Sequence, residues 1–170
     1  MRIFVNQTGN ALVRFNVIAF THAGIGLKEL GGFHLDQDDV APKMRELKEE
    51  LNLSEIMYLS TCNRVEFIFA CHKAVDKHFV NDFIAAFNPE WEADHIASIV
   101  NKTRFWNGIN AVNHLIEVAS SLDSMILGER EIITQVRNAY EYSRNEKLSG
   151  DILRIVIRQT IETAKKVYTE

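Results

Sequence analysis

Apolar side chains recur along the first hundred residues with two different periods, and the switches between them mark the elements. Residues 12–20 (LVRFNVIAF) are rich in β-branched and aromatic types and alternate most clearly at their start, which predicts a strand ending before His22 and Gly24. Over 37–52, Val40, Met44, Leu47 and Leu51 recur at close to helical spacing. Asp36, Asp38 and Asp39 crowd the start of that stretch, where carboxylates suit the helix dipole, so a helix is predicted. Residues 56–59 and 65–71 read as two strands joined by the polar turn Ser60-Thr61-Cys62-Asn63-Arg64. A second helix is predicted over 74–87, with Phe79, Phe83, Ala86 and Phe87 on one stripe and Asn88-Pro89 closing it. A weaker strand is expected around 99–106. Strand, helix, strand, strand, helix, strand is the split βαβ order, which predicts an α+β, ferredoxin-like core: an antiparallel sheet with helices on one face.

From Asn107 onward the pattern is helical only. Val112, Leu115, Ile116 and Ala119 form a first stripe, and Ile132, Ile133, Val136, Ala139 and Tyr140 a second. Leu153, Val156, Ile157, Thr160, Ala164 and Val167 form a third. The expected division is therefore 1–106 for the α+β part, 107–148 for a helical part completing the same domain, and 149–170 for the start of a linker helix. That last helix is in phase at Glu170 with neither Gly nor Pro to stop it, so it is expected to lead into another domain.

Composition narrows the setting. Apolar residues at 46% and charged residues at 25% are ordinary globular usage, and no apolar run approaches the length that spans a bilayer, so no membrane role is expected. Asn6, Gln7, Asn10, Arg14 and Asn16 interrupt the N-terminal apolar stretch, unlike the core of a signal peptide, and a cytoplasmic protein is expected. Two cysteines are too few for a disulfide framework and are read as thiols. A net charge of −4 argues against a chain that grips nucleic acid by phosphate neutralisation alone. Arg154, Arg158, Lys165 and Lys166 make the best basic stripe, with a solvated helix face as the competing reading.

Few residues remain as candidates for chemistry. Cys62 sits in a polar turn between apolar strands, with Arg64 two residues on to favour a thiolate; it reads either as a nucleophile or as a small apolar plug. Cys71 beside His72 lacks a metal-ligand spacing, and no metal is expected. His114 lies about 200° around its helix from Val112, off the apolar stripe, which leaves it facing either a cleft or solvent. The loop from Ser120 to Glu129 carries several hydroxyls that could hold a ligand or simply cap helices. Gly24-Ile25-Gly26 lacks the third glycine of a dinucleotide loop.

The octet Leu59-Ser-Thr-Cys-Asn-Arg-Val-Glu66 resembles the cysteine motif of glutamyl-tRNA reductases, and His114 through Arg137 is similar to that family's long signature. The start of its linker helix is similar to Thr163-Ala-Lys-Lys-Val-Tyr-Thr-Glu170. Thr21 to Gly26 keeps only the beginning of the family's basic loop motif, and Ser121 stands where the family usually has Gly. The resemblance implies the N-terminal catalytic domain of an enzyme that makes glutamate-1-semialdehyde for tetrapyrrole synthesis. It implies Cys62 as the thioester-forming nucleophile and His114 as its catalytic partner. Arg64 would read the γ-carboxylate, and Thr61, Ser124, Glu129 and Gln135 would complete the substrate pocket. Implied partners are glutamyl-tRNA, a second copy of the full-length protein and the next enzyme of the pathway. NADPH would be the cofactor of the full-length protein, bound by a domain outside this chain, as would be the dimerisation domain. A non-catalytic module binding glutamyl-tRNA or a protein on the same fold is the alternative.

Overall fold

The computed structural model describes residues 9–120 and 131–169. In chain order the elements are α1 (Gly9–Leu12), β1 (Phe15–Thr21), α2 (His22–Ile25), α3 (Leu27–Gly31), α4 (Gln37–Glu50), β2 (Leu53–Ser60) and β3 (Arg64–Cys71). They continue with α5 (Lys77–Phe87), α6 (Ala93–Val100), β4 (Arg104–Asn107), α7 (Gly108–Ala119), α8 (Glu131–Asn145) and α9 (Asp151–Thr169). The strands form one four-stranded sheet in the order β2-β3-β1-β4, every pairing antiparallel. This is the ferredoxin-like α+β topology expected from the element order.

Strand alternation divides the core in two. Ile18 and Phe20 of β1, Ile56 and Tyr58 of β2, and Phe67 and Phe69 of β3 point to the face covered by α4, α5 and α6. Phe67 is fully buried there, its ring centroid 4.9 Å from Phe83 and 5.5 Å from Phe87. The alternate residues Phe15, Val17, Met57, Leu59 and Ile68 face the opposite layer, built from α7, α8 and α9. The ferredoxin-like core thus carries its own helices on one face, and the helical segment covers the other.

Several boundaries differ from the sequence reading; β2, for one, runs Leu53–Ser60 rather than 56–59. The first strand starts at Phe15, because Gly9–Leu12 takes a helical turn. α5 starts at Lys77, since the Asp76 side chain caps it by accepting from Phe79 N at 2.9 Å. The weak strand expected around 99–106 is only Arg104–Asn107; Ile96, Ile99 and Val100 stand at helical spacing and are the buried residues of α6.

The second layer is tied to edge strand β2 by a buried carboxylate. A register irregularity between Leu53 and Glu55 turns Glu55 inward, and it accepts from the backbone N–H groups of Gly150 (2.8 Å), Ile152 (3.0 Å) and Leu153 (2.8 Å). Glu55 therefore caps α9 from another element, satisfying donors that a helix start leaves open. A Cβ on Gly150 would sit 3.0 Å from Glu55 Oε1, so glycine permits the approach. Beside it, Ile56 N donates to Leu148 O (2.9 Å) and Ser143 Oγ donates to Ile56 O (2.8 Å). Chain 143–150 thus covers what would otherwise be an open sheet edge.

Candidate active site

The β2–β3 hairpin ends in a tight tip. Ser60 pairs with Val65, and Thr61 N donates to Arg64 O at 2.9 Å, which leaves Cys62 and Asn63 as the loop. Asn63 N donates to Thr61 Oγ1 at 3.3 Å, and His22 N donates to Asn63 O at 2.9 Å, so the tip is fastened both to itself and to the start of α2. Its backbone is thereby held while the Cys62 side chain stays exposed. Cys71, at the other end of β3, is buried. Its thiol donates to Lys73 O at 3.3 Å, and Asn16 Nδ2 lies 3.7 Å from its sulfur. Burial pushes the Cys71 thiol pKa up, outweighing the Lys73 hydrogen bond and the nearby Arg14, so Cys71 has the surroundings of a structural residue.

Alternation along β3 puts Arg64 and Glu66 on the face toward α7, opposite Val65 and Phe67. Glu66 has no exposed surface and meets a polar partner on two sides. Arg64 Nη1 donates to its Oε1 at 2.8 Å, and Nε2 of His114 lies 3.0 and 3.1 Å from its two oxygens. The His114 ring stacks on Trp106 of β4, centroids 3.6 Å apart and planes within 11°, and the Arg104 guanidinium lies 5.0 Å from the Trp106 centroid. His114 is only 6% exposed, which corrects the solvent-facing option. The measure from Val112 misled because Ala111 and Val118, three residues before and four after, share the His114 face and are buried too.

The remaining candidates are placed unevenly. Thr61 is half-buried at the hairpin tip, and Gln135 is half-buried on α8 with no hydrogen bond to Thr61, Cys62, Arg64 or His114. Ser124 and Glu129 lie outside the described residues. Of the basic stripe on α9, Arg154 pairs with Asp151 and Arg158 with Glu162, each at 3.0 Å, while Lys165 and Lys166 make no ion pair among the described residues. Among the described residues no three His, Cys, Asp or Glu side chains group to hold a metal ion, and no helix is long and apolar enough to cross a membrane.

Glu66 and Trp106 were not singled out from the sequence. A signal for Glu66 existed, since it is the only charged residue within 65–71, and a charge inside an apolar strand must find partners. An exposed thiol on a fixed turn thus lies on the same hairpin as a buried carboxylate that contacts a guanidinium and an imidazole. Glu66 lies two strand residues, about 7 Å, beyond Arg64.

Residues 18–170 match the family model described as glutamyl-tRNAGlu reductase, N-terminal domain. The chain is 32% identical over 159 residues to a glutamyl-tRNA reductase of Thermodesulfovibrio yellowstonii, covering 91% of this chain and 37% of that protein. It is 39% identical over 121 residues to one from Clostridium novyi, covering 69% and 28% respectively. Among solved structures, the glutamyl-tRNA reductase of Methanopyrus kandleri superposes with a TM-score of 0.69 at 26% identity, covering 92% of this chain and 35% of that one. The chain spans about a third of the length of the relatives it matches.

Proposed function

The chain belongs to the family of glutamyl-tRNA reductase N-terminal domains, and from that premise we propose that it performs the acyl-transfer half of the reaction, in which Cys62 takes glutamate from glutamyl-tRNA as a thioester. The observation that carries this reading is the exposed Cys62 side chain on a hydrogen-bonded hairpin tip, on the same hairpin as Arg64 and Glu66, with His114 of α7 against Glu66. The aminoacyl ester is an activated acyl group, and sulfur attacks its carbonyl carbon to give a tetrahedral species. Collapse breaks the bond to the ribose oxygen, and the proton that began on the thiol ends on that oxygen. His114 orients the acyl group and passes the proton.

Arg64 is the reader of the substrate γ-carboxylate in this proposal. Its Nη1 is held by Glu66, which fixes the plane of a guanidinium suited to carboxylate recognition. Thr61, Ser124, Glu129 and Gln135 are the proposed acceptors for the α-ammonium and the polar edge of the pocket. In the parent protein, reduction of the acyl group to glutamate-1-semialdehyde needs hydride, which NADPH supplies when bound. The described residues do not fit a dinucleotide. Gly26, at φ 88°, joins two helical turns of five residues or fewer beside an antiparallel sheet, with no parallel strand to aim a phosphate-binding helix. No hydride step is therefore derived on this chain. A cytoplasmic, homodimeric parent that hands its product to the next enzyme of tetrapyrrole synthesis completes the proposal.

The test is direct. Incubated with tRNA carrying labelled glutamate, the chain should acquire label that survives denaturation and is released by hydroxylamine, and Cys62→Ser should acquire none. Equal labelling of the Cys62→Ser chain would sink the proposal.

A further inference from the structure

The contacts of Glu66 decide which nitrogen of His114 is free to act. An ionised carboxylate accepts hydrogen bonds and donates none. Glu66 is paired with Arg64 through Oε1 and faces His114 Nε2 with both oxygens, at 3.0 and 3.1 Å. Nε2 must then carry a hydrogen, whether the ring is neutral or protonated, because a bare Nε2 would set lone pairs against two carboxylate oxygens. The other nitrogen, Nδ1, makes no hydrogen bond among the described residues. Stacking on Trp106 at 3.6 Å stops the ring from turning over to exchange the two nitrogens.

We propose that Glu66 is a positioning residue that keeps His114 in the Nε2–H form, making Nδ1 the nitrogen that exchanges the proton in the acyl transfer at Cys62. The inference rests on the acyl-transfer reading above and adds to it the atom and its control. Directly or through one water, Nδ1 takes the thiol proton as the sulfur–carbon bond forms. It returns that proton to the ribose oxygen as the carbon–oxygen bond breaks, so the ring ends as it began. Glu66 keeps its charge throughout, and its second partner Arg64 stays fixed. This arrangement accounts for a fully buried carboxylate among the otherwise apolar residues 65–71, where an unpaired charge would be strongly destabilising.

The tautomer can be read without any reaction. Long-range nitrogen–proton NMR of the chain labelled with ¹⁵N-histidine, with the His114 signals assigned by their loss in His114→Asn, should show a pyrrole-type Nε2 and a pyridine-type Nδ1 when the ring is neutral. In Glu66→Gln the amide oxygen can stay on Arg64, but the NH2 group then meets Nε2, so the ring should convert to the Nδ1–H form. Thioester formation should fall on the order of 10²-fold or more, while binding of glutamyl-tRNA changes by less than about threefold. A mainly Nδ1–H ring in the unmodified chain would overturn the proposal with no variant needed. So would a converted ring in Glu66→Gln with an unchanged acylation rate. An Nε2–H ring in an unmodified chain that forms no thioester would instead overturn the acyl-transfer reading, and the role of Nδ1 with it.

Discussion

One hairpin arm separates two thiols and gives them opposite environments. Cys62 stands exposed on the tip, whereas Cys71 is buried at the far end of β3. At neutral pH a bulky disulfide reagent should titrate one thiol rapidly in the native chain and none in Cys62→Ser, with Cys71 reacting only after denaturation. Rapid labelling that survives Cys62→Ser would place Cys71 within reach of solvent. Burial also couples Cys71 to stability. Its folded pKa is raised, so the unfolded chain loses this proton first. The stability it contributes is complete below the ordinary thiol pKa of about 8.5 and is lost as pH climbs through the higher folded value. Tyr58, whose pKa burial also raises against hydrogen bonds from its neighbours, acts in the same direction at still higher pH. Urea midpoints measured at pH 7.5 and 10 should drop, and Cys71→Ala should drop less over that interval. At this scale the sequence was uneven evidence. The polar turn around Cys62 was legible because its residue types break two apolar runs. The partnership of Glu66 with His114 was not, because it joins residues 48 positions apart on different elements.

At the level of elements, the α9 start depends on a carboxylate that belongs to β2. Three backbone N–H groups converge on Glu55, and the helix they open packs Leu153, Val156 and Ile157 into the second core. Glu55→Ala strands those donors in a partly closed site, and the expected loss is about 2–3 kcal/mol in urea unfolding, close to the upper range for hydrogen bonds to a charged group. Gly150→Ala should be destabilising in the same direction, since its Cβ would crowd the carboxylate at 3.0 Å. A loss below about 0.5 kcal/mol for Glu55→Ala would mean that water replaces the cap without cost. Periodicity found α4, α5, β2 and β3 within a few residues, because each pairs a clear apolar spacing with a polar boundary. It could not find the Glu55 cap, since simple alternation does not register the irregularity between Leu53 and Glu55 that turns this side chain inward. It also misjudged Ile99 and Val100, where a short apolar run suits strand and buried helix alike.

For the molecule as a whole, the consequential feature is a sheet apolar on both faces. β1, β2 and β3 each send side chains into the aromatic core under α4 and α5 and into the second core under α7, α8 and α9. Neither helical layer can leave without exposing strand residues that the other layer needs in place, so the two should unfold together. The sequence contains a reporter for each. Trp91 packs edge-on against Phe33 beside the first core, and Trp106 stacks on His114 beside the second. Trp106→Phe therefore leaves fluorescence that follows the first layer, and Trp91→Phe leaves fluorescence that follows the site-bearing layer. In urea each variant's fluorescence curve should superpose on its own far-ultraviolet circular dichroism curve, with a single midpoint. If the Trp106 signal changes at lower urea than the circular dichroism of the same variant, the helical layer is a separate unit that docks on a finished α+β core. His114 would then reach Glu66 only when that docking holds. Coincident curves mean that folding the sheet and assembling the Arg64–Glu66–His114 chain are one event.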